Sequence, residues 1–246
     1  MNINSFHTPP SDPESPPTTT RTEPLVLCEG QADCYFYSAI SDALRSIDLS
    51  LPRATFLDSG GKYALPDLIR QHRRQGADVR VIVDFDVLRT ESPLHNVVEA
   101  LGGDWIQVQP MWQEIRHGVQ TQHQEGSGTR PKGQETEQFS LRYGKTRQHI
   151  KAVRTNDLPW IQAKRWGRRA VPERLQDSYE LLNASLAEMG LFLVEVGELE
   201  GFVRGVGHHG SRWAGKVLKR YEVATALELK EARAFVRRVL EVRQRE

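Results

Sequence analysis

Short apolar runs separated by amphipathic stretches dominate the chain from Leu25 onward. Leu25–Cys28 (LVLC) stops at Glu29-Gly30 and reads as a strand buried on both faces. Tyr37, Ile40 and Leu44 then recur at helical spacing within Asp33–Leu44. Ala54–Leu57 predicts a second strand, ending at Asp58-Ser-Gly-Gly-Lys62. Leu65–Gln75 predicts a helix with Leu65, Leu68 and Ile69 inward, closed by Gly76. Val79–Val83 (VRVIV) is a third strand, followed by Asp84-Phe85-Asp86. Farther on, Leu175, Tyr179, Leu182, Leu186 and Met189 step by three and four through Val171–Met189, and Gly190 ends that helix. Leu191–Val196 (LFLVEV) predicts a fourth strand before Gly197-Glu-Leu-Glu200. Alternating strands and helices predict an α/β fold, a Rossmann-like parallel sheet flanked by helices. An added helical and loop segment at about residues 105–175 interrupts it, and two charged amphipathic helices follow over about 211–245.

Two stretches break the pattern. The first 23 residues carry Pro9, Pro10, Pro13, Pro16 and Pro17 among Ser, Thr and acids, and are expected to be disordered, leaving 24–246 as the folded domain. Thr121–Glu137 has three glycines, one proline and no large apolar residue, and is expected to be a mobile loop. Composition adds limits. Hydrophobic residues are 38% and charged residues 26%, as in a soluble globular protein. Lys plus Arg (33) against Asp plus Glu (32) gives a net charge of +1, which excludes a histone-like polycation. No apolar run approaches the roughly 18–20 residues of a membrane span, and Met1–Arg21 lacks the apolar core of a secretory signal. Cys28 and Cys34 are too few for a disulfide framework and do not form Cys-x-x-Cys. They are expected to be buried thiols in a reduced, cytoplasmic protein.

The chemistry sits where strands end. In parallel α/β sheets ligands collect beyond the carboxyl ends of the strands. Three of the four predicted strands end there in acids: Glu29, Asp84 with Asp86, and Glu198 with Glu200. If the third strand continues, Asp84 and Asp86 share one face of it. Asp33 lies one helical turn beyond Glu29. One such carboxylate reads most simply as a solvated loop residue. The set on three strand ends would repel unless cations neutralise it. Oxygen ligands without paired Cys or His favour Mg²⁺ or Mn²⁺ over zinc. His208-His209 are read as a polar turn, because adjacent histidines on one loop seldom both reach one ion.

LVLCEGQADCYFY, FLDSGGK, VIVDFDVL and LFLVEVGELEGF, in this order, resemble the TOPRIM domain in the form found in the overcoming-lysogenization-defect (OLD) family nucleases. Glu29-Gly30 and Asp84-x-Asp86 match the two acidic elements of TOPRIM, and Asp33 and Gly197–Glu200 match the additions of the OLD type. His209–Lys219 (HGSRWAGKVLK) is similar to that family's basic, Trp-containing segment, which contributes a catalytic lysine. Ser211-Arg212-Trp213 departs from it, and leaves Lys216 as the substitute. The resemblance implies a DNA endonuclease using two Mg²⁺ or Mn²⁺ ions. Glu29, Asp33, Asp84 and Asp86 would be ligands, Glu198 or Glu200 would complete the second site, and Lys216 or Arg212 would offset charge on the phosphate. It also implies an upstream ATPase, yet Gly-x-x-x-x-Gly-Lys-Ser/Thr occurs nowhere, and Gly60-Gly61-Lys62-Tyr63 is not a phosphate loop. No ATP site is therefore expected. A separate ATPase subunit and a second copy of the chain are the protein partners considered.

Arg142–Arg169 places nine Lys or Arg, among them Lys164, Arg165, Arg168 and Arg169, against Asp157 alone, with Tyr143, Trp160 and Trp166 interleaved. Such a segment fits DNA, the cations on phosphates and the rings on unpaired bases. It fits equally a solvated basic face whose tryptophans serve the core. A non-catalytic remnant that binds nucleic acid or docks onto a partner ATPase is the second function carried forward. A phosphoacceptor receiver domain is discarded, because its acidic pair follows the first strand rather than the third.

Overall fold

The computed structural model describes residues 23–125 and 158–242. Its four strands are β1 (Leu25–Cys28), β2 (Thr55–Asp58), β3 (Val79–Val83) and β4 (Leu191–Leu193), all parallel in the order β2-β1-β3-β4. The described helices are α1 (Gln31–Ile47), α2 (Leu65–Arg74), α3 (Glu91–Ala100), α4 (Trp105–Glu125), α5 (Leu158–Trp166), α6 (Gln176–Glu188), α7 (Gly210–Arg220) and α8 (Lys230–Glu241).

Successive strand residues face opposite ways, so each central strand feeds two cores. Leu27, Val79, Val81, Val83, Leu191 and Leu193 join one core with side chains of α2, α3, α4, α5 and α6. Val26, Cys28, Ile82, Phe192 and Val194 join the other with α1, α7 and α8. The result is helices on both faces of a parallel sheet, the expected α/β class. Arg80, in the middle of β3, is the exception to the apolar run. It is buried because its guanidinium pairs with Asp78 at 2.6 Å and donates to the Val239 carbonyl.

The segment around 105–175 is not a separate appendage where it is described. Trp105, Val108, Trp112, Ile115 and Val119 of α4 and Trp160 and Ala163 of α5 lie in the first core, and Trp112 Nε1 donates to the Leu88 carbonyl at 2.8 Å. Helix α4 runs on through Glu125, so the first five residues of the expected Thr121–Glu137 loop are helical instead. The remainder of that stretch, residues 1–22, and Arg142–Asp157 of the basic segment lie outside the described residues. Cys28 is buried and Cys34 half-buried, both as free thiols. Among the described residues no helix is long and apolar enough to cross a membrane.

Candidate metal centre

The chain leaves β1, β3 and β4 at the same edge of the sheet. Glu29 follows β1 directly, and its Oε1 accepts the backbone N–H of Asp84 at 3.0 Å, tying the ends of β1 and β3 together. Asp84 and Asp86 do not share a strand face as the sequence suggested. The strand stops at Val83, and the chain turns into a 3₁₀ segment, Phe85–Arg89, with Asp84 at its N-cap and Asp86 in its first turn. The tight turn still delivers both carboxylates: ligand atoms of Glu29, Asp84 and Asp86 lie within 4.8 Å of one another.

Beyond β4, Glu198, Glu200 and His209 form a second such group, again within 4.8 Å. Glu200 Oε1 accepts the Gly210 N–H at the start of α7 at 2.7 Å and lies 3.5 Å from His209 Nδ1. Asp33, in the first turn of α1, feels the charges of both Asp84 and Glu200 and so couples electrostatically to both groups. Burial first, then the charge of Asp84, push Glu29 from 4.5 up to about 7. The same two causes push Asp33 from 3.8 up to about 7. Burial also raises Asp84 and Glu198. Carboxyls that resist ionising together are the electrostatic condition a cation relieves.

Two lysines meet the first group. Lys164 Nζ donates to Asp84 Oδ2 at 2.8 Å and lies 3.9 Å from Asp86 Oδ2, and Lys62 Nζ is 3.6 Å from Asp86 Oδ2. Burial works to lower Lys164, but the charge and hydrogen bond of Asp84 outweigh it and raise the ammonium above its ordinary value. A close backbone crossing brings Lys164 there. Gly167 (φ +56°) and Gly197 (φ +109°) pack so tightly that a Cβ on the first would fall on the Glu195 carbonyl, and one on the second on the Lys164 carbonyl. Arg168 N–H donates to Glu195 O at 2.8 Å, and Phe85 N–H to Gly197 O at 2.9 Å. This one crossing positions Asp84, Lys164 and Glu198. Gly167→Ala is expected to cost about 3 kcal/mol of stability, combining left-handed strain with a backbone clash. Urea unfolding reads it, and a variant as stable as wild type would refute the crossing.

The residues fit the expected ions. Asp86 Oδ1 is buried without a hydrogen-bond partner, an acceptor left unmet. The oxygen-only set of Glu29, Asp84 and Asp86 suits Mg²⁺ or Mn²⁺. The imidazole of His209 widens the second set to softer divalent ions.

The other site residues of the sequence reading fall elsewhere. Lys216 Nζ bonds His208 Nε2 at 2.6 Å, next in sequence to His209 of the second group, and makes no ion pair with Asp84. Arg212 is exposed on α7. Arg168 is held by Glu180 at 2.5 Å and Gln176 at 2.9 Å. Arg165 and Arg169 are exposed near Trp166. Lys164 was grouped with these phosphate-facing cations, whereas its ammonium lies on Asp84. Lys62 had no site role in the sequence reading, and His209, read there as part of a polar turn, instead joins Glu198 and Glu200. Of the histidine pair only His209 reaches the acids, as the objection to adjacent histidines allows. No family model matches the chain, and neither the curated proteins nor the solved structures give a significant match.

Proposed function

We propose that this protein is a metal-dependent nuclease of the TOPRIM type, close to the OLD family form, that cuts DNA phosphodiester bonds. The observation that carries the reading is the pair of carboxylate groups at one sheet edge, with Glu29 and Asp33 pushed up to about 7 by burial and mutual charge. Glu29, Asp84 and Asp86 would hold one ion and Glu198, Glu200 and His209 the other, with Asp33 coupled electrostatically to both groups. A bound pair of Mg²⁺ or Mn²⁺ ions supplies an activated water and stabilises the leaving oxygen. Lys164 and Lys62 bring positive charge to the same edge, where it offsets charge growing on the phosphate. Lys216 and Arg212, on α7 next to the second group, approach the DNA from that side. With no phosphate loop in the sequence, cutting does not need ATP, although an ATPase subunit remains a partner consistent with the resemblance.

A supercoiled plasmid should be nicked or linearised with Mn²⁺ or Mg²⁺, without ATP, and left intact in EDTA. One observation favours a second reading, a non-catalytic nucleic-acid-binding or partner-docking module. Lys164 and Lys62 already offset part of the charge on Asp84 and Asp86 without any metal. DNA binding with no cleavage in any divalent ion would select it.

A further inference from the structure

Two short segments, residues 164–169 and 195–204, carry side chains of the acidic edge and then continue along the molecule into a cleft of about 390 Å³. Its polar lining includes Arg168, Arg169, Arg204 and Arg238 against Glu195 and Glu231. Two of these arginines are committed: Arg168 to Glu180 at 2.5 Å and Arg238 to Glu195 at 2.8 Å. The other two are not. Among the described residues neither Arg169 nor Arg204 forms an ion pair. Arg204 is fixed all the same. Its guanidinium lies 4.3 Å from the centre of the Trp166 ring, and Nη2 donates to the carbonyls of Arg165 and Val196 at 3.0 and 3.2 Å. Burial, then the charges of Arg169 and Arg165, push Arg204 down, and the smaller opposing pull of Glu198 and Glu231 does not cancel them. Holding an exposed arginine rigid beside others costs conformational entropy, and a bound anion would add to the partial offset that Glu198 and Glu231 provide.

The apolar part of the lining is aromatic: half-buried Trp166, with Arg165 also 5.3 Å from its ring centre, and buried Phe202 and Phe235, their rings 5.6 Å apart. Cations on a fixed fork beside aromatic surface are the pairing used for unpaired nucleotides, phosphate on one and base on the other. The volume lies at the low end of the roughly 300–1,000 Å³ of small-ligand sites, so one nucleotide unit enters and a base-paired duplex does not. We infer that this cleft is a subsite for a single unpaired nucleotide, its phosphate on Arg169 and Arg204 and its base against the Trp166 wall. Resting on the nuclease reading, it gives the acidic edge a preference for strands with a single-stranded portion. A free nucleotide offers the same chemistry, and the test separates the two sources.

Full-length protein is titrated in EDTA against a fluorescein-labelled oligothymidylate, its duplex counterpart, AMP and inorganic phosphate. Wild type should bind the single strand more tightly than the duplex. Arg169→Glu and, separately, Arg204→Ala should weaken that binding about tenfold or more, and Trp166→Ala roughly tenfold. Arg70→Ala with Arg74→Ala removes two charges on α2, away from the cleft, and should change binding little. Because Arg204 also bonds two carbonyls, Arg169→Glu, at an exposed side chain, keeps the test independent of folding. If AMP binds and competes as well as the oligomer does, and Arg169→Glu abolishes both, the cleft serves free nucleotides and the inference holds for that source. Equal loss in the α2 variant, or oligomer binding unaffected by Arg169→Glu, overturns it. Binding is read without metal, so the two readings fail separately. Intact cleft binding without cleavage refutes the nuclease. Cleavage with no cleft-dependent binding refutes the subsite.

Discussion

Asp84→Ala is expected to lower metal-dependent DNA cleavage about a thousandfold or more while moving the melting temperature by about 3 °C or less. Asp84 is at the centre of the first carboxylate group, and its charge is the largest acidic influence on both Glu29 and Asp33. Its removal deletes a ligand outright. The effects on folding oppose each other. Loss of the carboxylate relieves repulsion among buried acids, but it also leaves Lys164 without its 2.8 Å partner, with Asp86 at 3.9 Å as the remaining one. No helix cap is lost, because the Asp84 side chain caps nothing in the 3₁₀ segment. Asp58→Ala is the matched control. It removes an exposed carboxylate at the end of β2 that belongs to neither group, and should leave cleavage within about threefold of wild type. Plasmid nicking and melting measured on the same preparations decide the matter. Equal cleavage by wild type and Asp84→Ala would sink the active-site assignment, and equal loss in Asp58→Ala would deny it specificity.

The two central strands were legible because burial on both faces leaves an unbroken apolar run, whereas the largely exposed β2 is shifted by one residue, to Thr55–Asp58. Leu25–Cys28 and Val79–Val83 form with the bounds the pattern predicts. Leu191–Val196 does not, and the reason is pairing rather than propensity. β4 lies at the sheet edge, and its single neighbour β3 ends at Val83, opposite Leu193, so the ladder closes with the Val194 N–H on the Val83 carbonyl and the chain turns away. The helix predicted from Val171 starts at Gln176, since Pro172 opens a 3₁₀ turn through Leu175 first. Helix α4 falls within the expected helical and loop segment, but its bounds were not drawn although their signal was present. Trp105, Val108, Trp112, Ile115 and Val119 step by three and four, but Pro110 and a glutamine-rich outer face disguise them.

The site divides along the same line. Its carboxylates were legible because strand ends are local features and the parallel topology carries them to one edge. Lys164 was not, because its place depends on the Gly167–Gly197 crossing between segments thirty residues apart in sequence. Composition reads such a lysine as part of a basic run, while the fold spends it on Asp84. His209 was read as a polar turn for a related reason: its place beside Glu200 is set by the start of α7, which positions Gly210 and His209 together.

In EDTA, stability should fall as pH rises from about 4 to about 7, and Mn²⁺ should restore it at the alkaline end. Glu29 and Asp33 both titrate near 7 in the fold, against 4.5 and 3.8 ordinarily. Between those values the folded protein holds protons that the unfolded chain has released. The unfolded state then binds fewer protons, and the free energy of unfolding declines with pH. Below about pH 4 both states are protonated and the penalty vanishes. Above about 7 it is fully present, on the order of a few kcal/mol for the pair after allowing for their coupling. A divalent ion competes with those protons, so its stabilisation should be small at pH 5 and large at pH 8, about 5–10 °C in melting temperature. Comparison with the Glu29→Gln, Asp33→Asn double variant subtracts every other group that contributes in the same window. In that variant the acid-to-neutral decline should flatten and the Mn²⁺ shift at pH 8 should largely disappear. A wild-type melting temperature that is flat from pH 5 to 8 in EDTA, with no Mn²⁺ shift at pH 8, would mean that the carboxylates are too well solvated to need a cation.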